Sequence, residues 1–69
     1  MIELISANIE GLTVSLWKDL AHRNIIGRSV YVLTIKGCEG GFYIEDLGDN
    51  KEKALNYYTN TLIDIINNE

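Results

Sequence analysis

From Ile5 to Leu16 the chain alternates apolar and polar residues, interrupted once by Glu10-Gly11. A period of two marks a strand with one buried face. Glu10-Gly11 then reads as a two-residue turn, since Gly tolerates the positive φ that tight hairpins require. Pairing outward from that turn sets Ile9 opposite Leu12, Ala7 opposite Val14 and Ile5 opposite Leu16 on one face. Asn8 meets Thr13 and Ser6 meets Ser15 on the other. Continued without interruption, the register brings Glu3 opposite Lys18, an ion pair of modest worth near the strand ends. A rival reading makes Ser15 to Arg23 a short helix, with Leu16, Leu20 and Trp17 inward.

A long connection from Lys18 to Gly27 leads to a second hairpin. The run Val30-Tyr31-Val32-Leu33-Thr34-Ile35 is rich in β-branched and aromatic residues, Gly37-Cys38-Glu39-Gly40-Gly41 breaks it, and Phe42-Tyr43-Ile44 resumes it. An even-length turn over Cys38-Glu39 sets Ile35 opposite Phe42 and Leu33 opposite Ile44, apolar against apolar. A slip of one residue would set Ile35 against Tyr43 and Leu33 against Glu45, so the first register is the expected one. Past Leu47-Gly48, Asp49 and Glu52 form a variant of the capping box. The helix they open should run from Asn50 or Lys51 to Asn67. Its inward stripe is Ala54 or Leu55, Tyr58, Leu62 and Ile65 or Ile66, with Tyr57, Thr61, Asp64 and Asn68 elsewhere on the wheel.

These elements predict an α+β fold: a small antiparallel four-stranded meander sheet, ordered β-β-β-β-α, with one C-terminal helix packed on one face. The core face of the sheet would carry Ile5, Ala7, Ile9, Leu12, Val14, Leu16, Leu33, Ile35, Phe42 and Ile44. Residues 1–69 make a single domain. Strand three is apolar on both sides, and parity gathers Leu4, Trp17, Val30, Val32 and Tyr43 on the second face. One helix cannot cover two faces. Either the Lys18 to Gly27 connection folds over the second face, or that face is a recognition surface, for which Trp and Tyr are suited.

Composition changes this picture in two respects. A chain of 69 residues has a thin core, and its single Cys cannot make an internal disulfide, so a homodimer or a partner protein is a natural source of further burial. Charge is also uneven. The formal total is −4, and the segment from Cys38 to Glu52 alone holds Glu39, Glu45, Asp46, Asp49 and Glu52 against one base, Lys51. Lys18, Arg23 and Arg28 gather with His22 in the long connection. The expected molecule is bipolar, with an acidic edge and a modestly basic loop. No apolar run approaches the roughly 18 residues of a membrane span, and the N-terminus lacks the basic region of a signal peptide. With one unpaired Cys, the chain reads as cytoplasmic. Abundant Ile and Asn with no Pro suggest an AT-rich genome, such as that of a low-GC bacterium or its phage.

Chemistry finds little purchase. Cys38 and His22 have no spacing that brings them together and no third residue to orient the His. Glu45 and Asp46 are adjacent on a strand and point to opposite faces, unlike a paired-carboxylate site. Asp46, Asp49 and Glu52 lack the alternating ligand pattern of a calcium loop, and no zinc spacing occurs. Gly37, Gly40 and Gly41 fit neither a phosphate-binding loop nor a dinucleotide fingerprint. The sequence thus implies no catalytic, metal or cofactor residues, no cofactor and no enzyme.

Gly41-Phe42-Tyr43-Ile44-Glu45-Asp46 followed by Gly48-Asp49-Asn50-Lys51-Glu52-Lys53-Ala54-Leu55 resembles the strand-to-helix passage of HicB-type antitoxins. The likeness covers Gly41 to about Leu62. It lacks that family's Pro-Gly-Cys segment and DNA-binding module.

The function expected from the residues is a small acidic protein-binding module, plausible as a phage- or mobile-element-encoded inhibitor that occupies a host protein surface. In size, acidity and build it would resemble anti-CRISPR proteins, or it would act as a nucleic-acid mimic on a nucleic-acid-binding protein. The candidate partner-binding residues are Glu39, Tyr43, Glu45, Asp46, Asp49, Trp17, Val30 and Val32. One alternative is a nucleic-acid or nucleotide-binding protein contacting phosphates through Lys18, Arg23 and Arg28, against which an isoelectric point near 4.8 weighs. Another is a structural homodimer burying Trp17, Val30, Val32 and Tyr43.

Overall fold

The first hairpin forms where alternation predicts it. In the computed structural model, which describes residues 2–19, 30–37 and 39–68, β1 (Ile2–Ile9) and β2 (Leu12–Asp19) are joined by Glu10 and Gly11. Both turn residues have positive φ, 53° and 79°, which is what a right-twisted two-residue hairpin needs. Ile9 pairs with Leu12, Ala7 with Val14 and Ile5 with Leu16, as expected. The register then shifts between Glu3 and Ile5, so Glu3 lies opposite Trp17 and Ile2 opposite Lys18. The expected pairing of Glu3 with Lys18 is therefore absent. A bulge on an edge strand bends the ladder and leaves one residue, Leu4, without a partner opposite. Ser15–Asp19 lie in β2, so these residues do not take the rival helical reading, and Lys18 and Asp19 belong to the strand rather than to the connection. The rest of that connection, with His22, Arg23 and Arg28, lies outside the described residues, as does Cys38.

β3 (Val30–Gly37) pairs with β2 along its whole length, and β4 (Phe42–Gly48) completes an antiparallel sheet of order β1-β2-β3-β4. The α+β meander is thus as predicted, but its last register is not. Lys36 pairs with Phe42, Ile35 with Tyr43, Thr34 with Ile44 and Leu33 with Glu45. This is the one-residue slip set aside on apolar matching. The cause lies in the loop. Gly40 has φ 90°, its N–H donates to Gly37 O at 3.2 Å, and Gly37 N–H donates to Gly41 O at 2.8 Å. Three residues therefore separate Gly37 from Gly41, in the pattern of a turn completed by a left-handed glycine, rather than the two of an even turn. An odd loop moves every β4 side chain to the opposite face.

The core explains why the slip is tolerated. Val14, Leu16, Tyr31 and Leu33 from the two central strands pack with Ala54 and Tyr58 of the helix α1 (Lys51–Asn67), and Leu12, Ile35, Leu47, Leu55, Leu62 and Ile65 pack around them. The buried centre of the core thus lies on β2 and β3 and no β4 residue is fully buried, so an apolar pair on the edge strand gains little by facing the helix. Phe42 and Ile44, expected in the core, are 62% and 59% exposed on the other face, and Ile5, also expected there, is 40% exposed. Tyr31 takes a core place on the Leu33 face. Leu47, on the same face as Tyr43 and Glu45, packs against the core, and a second irregularity follows it, in which Val32 pairs with Asp46 but Tyr31 with Gly48.

α1 begins and ends where its stripe predicts. Its N-cap is Asn50, whose side-chain oxygen accepts from Lys53 N–H at 3.0 Å, instead of Asp49. The cap thus sits one residue later than the box Asp49–Glu52 implied, and Glu52 falls in the first turn, where its charge complements the helix dipole. The Tyr58 hydroxyl crosses to the sheet and donates to Val14 O at 2.8 Å in the buried interior. Ile66, one of two choices for the end of the stripe, is exposed, and Ile65 is the inward one.

Candidate functional site

The register sorts the strand residues into two faces. Rows on the helix side run Ala7, Val14, Ile35, Tyr43 and Ile5, Leu16, Leu33, Glu45. Rows on the open side run Asn8, Thr13, Lys36, Phe42, then Ser6, Ser15, Thr34, Ile44, then Trp17, Val32, Asp46. At the β1 and β2 end the open face is a polar ladder, in which Thr13 donates to Asn8 at 2.8 Å and Ser15 to Ser6 at 3.2 Å. Toward β3 and β4 it becomes apolar. The Trp17 indole N–H donates to Thr34 Oγ1 at 2.8 Å, which fixes the ring over the buried Val32 row. Phe42 and Ile44 stand beyond it on the edge strand, with Asp46 next along the same face.

Trp17 and Val32 are thus brought together as expected, and Val30 pairs through its backbone with Asp19. Tyr43 does not join them. It lies on the helix side with Glu45, and Phe42 and Ile44 take its place on the open face. Sequence reasoning missed these two residues because it gave them to the core. The available signal was Gly40 as the third residue after Gly37, the position at which a three-residue hairpin loop takes its left-handed glycine.

On the helix side, Tyr43 donates its hydroxyl to Glu45 Oε1, and the Tyr57 hydroxyl of α1 also hydrogen-bonds Glu45. The two phenols hold the Glu45 carboxyl below its ordinary range. Glu45 in turn raises Tyr43 and pushes Tyr57 up to about 12, through the hydrogen bond first. This trio ties the edge strand to the helix, and its two tyrosines wall a groove of about 620 Å³. The groove floor is Leu12, Leu33, Ile35 and Ile65, and Glu10 and Asp64 supply carboxylates at its lining. Tyr57, Thr61, Asp64 and Asn68, which periodicity set elsewhere on the wheel, all line this groove.

The acidic segment is accordingly less uniform than its sequence. Glu45 is committed to two tyrosines, Asp46 accepts from Gly48 N–H at 3.2 Å at the strand end, and Glu39 is exposed in the hairpin loop. Asp49 is exposed just ahead of the helix cap. Of the alternative phosphate contacts, Lys18 is half-buried opposite Tyr31 and Ile2, and Arg23 and Arg28 lie outside the described residues. Among the described residues no group of three or more His, Cys, Asp or Glu side chains is arranged to hold a metal ion, and no helix is long and apolar enough to cross a membrane. No family model, curated protein or solved structure matches the chain.

Proposed function

We propose that the chain is a small non-catalytic protein-binding module whose contact face is the β3–β4 end of the open sheet face. The observation that carries this reading is the pair Phe42 and Ile44, about three-fifths exposed side by side on an edge strand and continuous with Trp17 and Val32. Neither side chain belongs to the described core, because α1 lies on the other face. Aromatic and aliphatic anchors ringed by polar residues are the usual centre of an interface. Asp46 beside them and Glu39 in the adjoining loop favour a partner with a basic rim, which speeds encounter and selects orientation more than it adds affinity. An inhibitor that occupies a host protein surface is one form such a module takes.

Photo-reactive residues placed at position 42, or at position 63 on the exposed side of α1, provide the test in a bacterial lysate. A discrete adduct heavier than any self-adduct is expected from position 42 and not from 63. The unlabelled wild type should compete it away, whereas the Phe42→Ser/Ile44→Ser variant should not. Equal competition by that variant, or by Asp46→Lys, would rule out this face and its acidic rim.

A further inference from the structure

We propose that two copies of this chain pair antiparallel through the free edges of their β4 strands, centred on Tyr43, to form one eight-stranded sheet. The inference extends the protein-binding reading but does not depend on it, because the backbone edge and the open face are different surfaces of the same strand.

The first support is hydrogen-bond parity. Gly37 N–H donates to Gly41 O, so these two residues form a hydrogen-bonded pair, and antiparallel pairs alternate from there. Tyr43 and Glu45 therefore turn their backbone groups toward β3. Phe42, Ile44 and Asp46 turn theirs outward, to an edge that no strand among the described residues covers. The second support is the regularity of the outer strand where the pairing would form: β4 keeps an unbroken register over the five residues from Phe42 to Asp46, ahead of its irregularity at Leu47.

The third support selects the occupant. A two-fold axis through the sheet pairs residues whose numbers sum to twice that of the central residue, so few registers exist. Centring on Glu45 sets two carboxylates against each other. Centring on Ile44 sets Phe42 against Asp46 and leaves an aromatic ring facing a charge. Centring on Tyr43 sets Phe42 opposite the partner copy's Ile44, and Ile44 opposite its Phe42, with the two tyrosines meeting on the axis. Glu45 then faces only a glycine, Gly41. Phe42, Tyr43 and Ile44 each find an apolar or aromatic partner and no like charges meet, the condition for cross-strand stabilisation. Each Phe42–Ile44 pair also exchanges two backbone hydrogen bonds, because both residues present their groups outward. The two apolar pairs merge into one patch at the middle of the doubled open face.

The register makes a sharp test, because only a residue on the axis meets its own copy. Single-cysteine variants at 42, 43, 44 and 45 in a Cys38→Ser background would be oxidised mildly and run without reductant. Tyr43→Cys should give a disulfide-linked dimer, since directly opposed Cα atoms of such a pair lie within disulfide reach, and the other three should not. Cross-linking at 44 or 45 instead would overturn the register, and cross-linking at none would overturn the pairing. The wild type, sedimented over a concentration series, should dimerise in the micromolar range, and Ile44→Lys should weaken that at least tenfold. A wild type that stays monomeric at millimolar concentration would overturn the proposal, whatever the lysate experiment finds.

Discussion

Glu45 shows how one side chain can serve a different purpose from the charge it contributes. Its carboxylate accepts from Tyr43 on its own strand and from Tyr57 on the helix, and each phenol is stabilised in its neutral form. The sign of the pH dependence follows. The Glu45 carboxyl is lowered on folding, so its contribution is present above about pH 4.5 and is lost as pH falls through the lowered value. Tyr57 is raised from 10.0 to about 12, so its contribution is present below pH 10 and is lost on the way to 12. Glu45→Gln removes the charge while keeping an acceptor. It should bring the Tyr57 ionisation down toward 10.0, read as tyrosinate absorbance in an alkaline titration of the folded protein. An unchanged titration curve would show that the carboxylate does not hold these phenols.

At the scale of elements, the helix and the β4 strand illustrate opposite degrees of local control. α1 is opened by Asn50, whose side chain takes the Lys53 N–H. Asn50→Ala should lower the unfolding free energy by about 1 kcal/mol in urea, and Asn50→Asp, which keeps the acceptor, should restore most of it. The helix bounds, the first hairpin and the strand order were legible in the sequence because period, turn residues and burial all agreed there. The inward stripe ending at Tyr58, Leu62 and Ile65 was legible for the same reason. The β4 register was not. Apolar matching argued for Ile35 against Phe42, but matching decides register only where a face is buried, and no β4 residue is fully buried. Gly40 decided it, through a backbone requirement that hydrophobic pattern does not record. The bulge at Leu4 left no sequence signal at all, since nothing in Glu3-Leu4-Ile5 departs from an ordinary strand. The candidate site inherits both effects. Trp17 and Val32 were placed together by parity along unbroken pairing, whereas Tyr43, Phe42 and Ile44 exchanged faces with the loop.

For the whole molecule, the limiting quantity is core size. Among the described residues six form the buried cluster, Val14, Leu16, Tyr31, Leu33, Ala54 and Tyr58, in a body of about 40 × 24 × 15 Å. A domain of this length has roughly 3–10 kcal/mol of stability at typical per-residue values. Leu33 is 1% exposed at the centre of that cluster, and truncating such a leucine costs about 2–5 kcal/mol. Leu33→Ala should therefore be largely unfolded at moderate temperature, seen as loss of near-ultraviolet circular dichroism from the aromatic residues. If dimerisation through β4 supplies part of the stability, the melting temperature of the wild type should rise with protein concentration. The three-residue loop between β3 and β4 has an evolutionary consequence at this scale. Adding or deleting a single codon there would turn the strand over, sending Phe42 and Ile44 under the helix side and presenting Tyr43 and Glu45 to the surroundings. The identity of the exposed surface is thus encoded in a loop length, and one small insertion or deletion could give a descendant a new binding specificity with every strand residue unchanged.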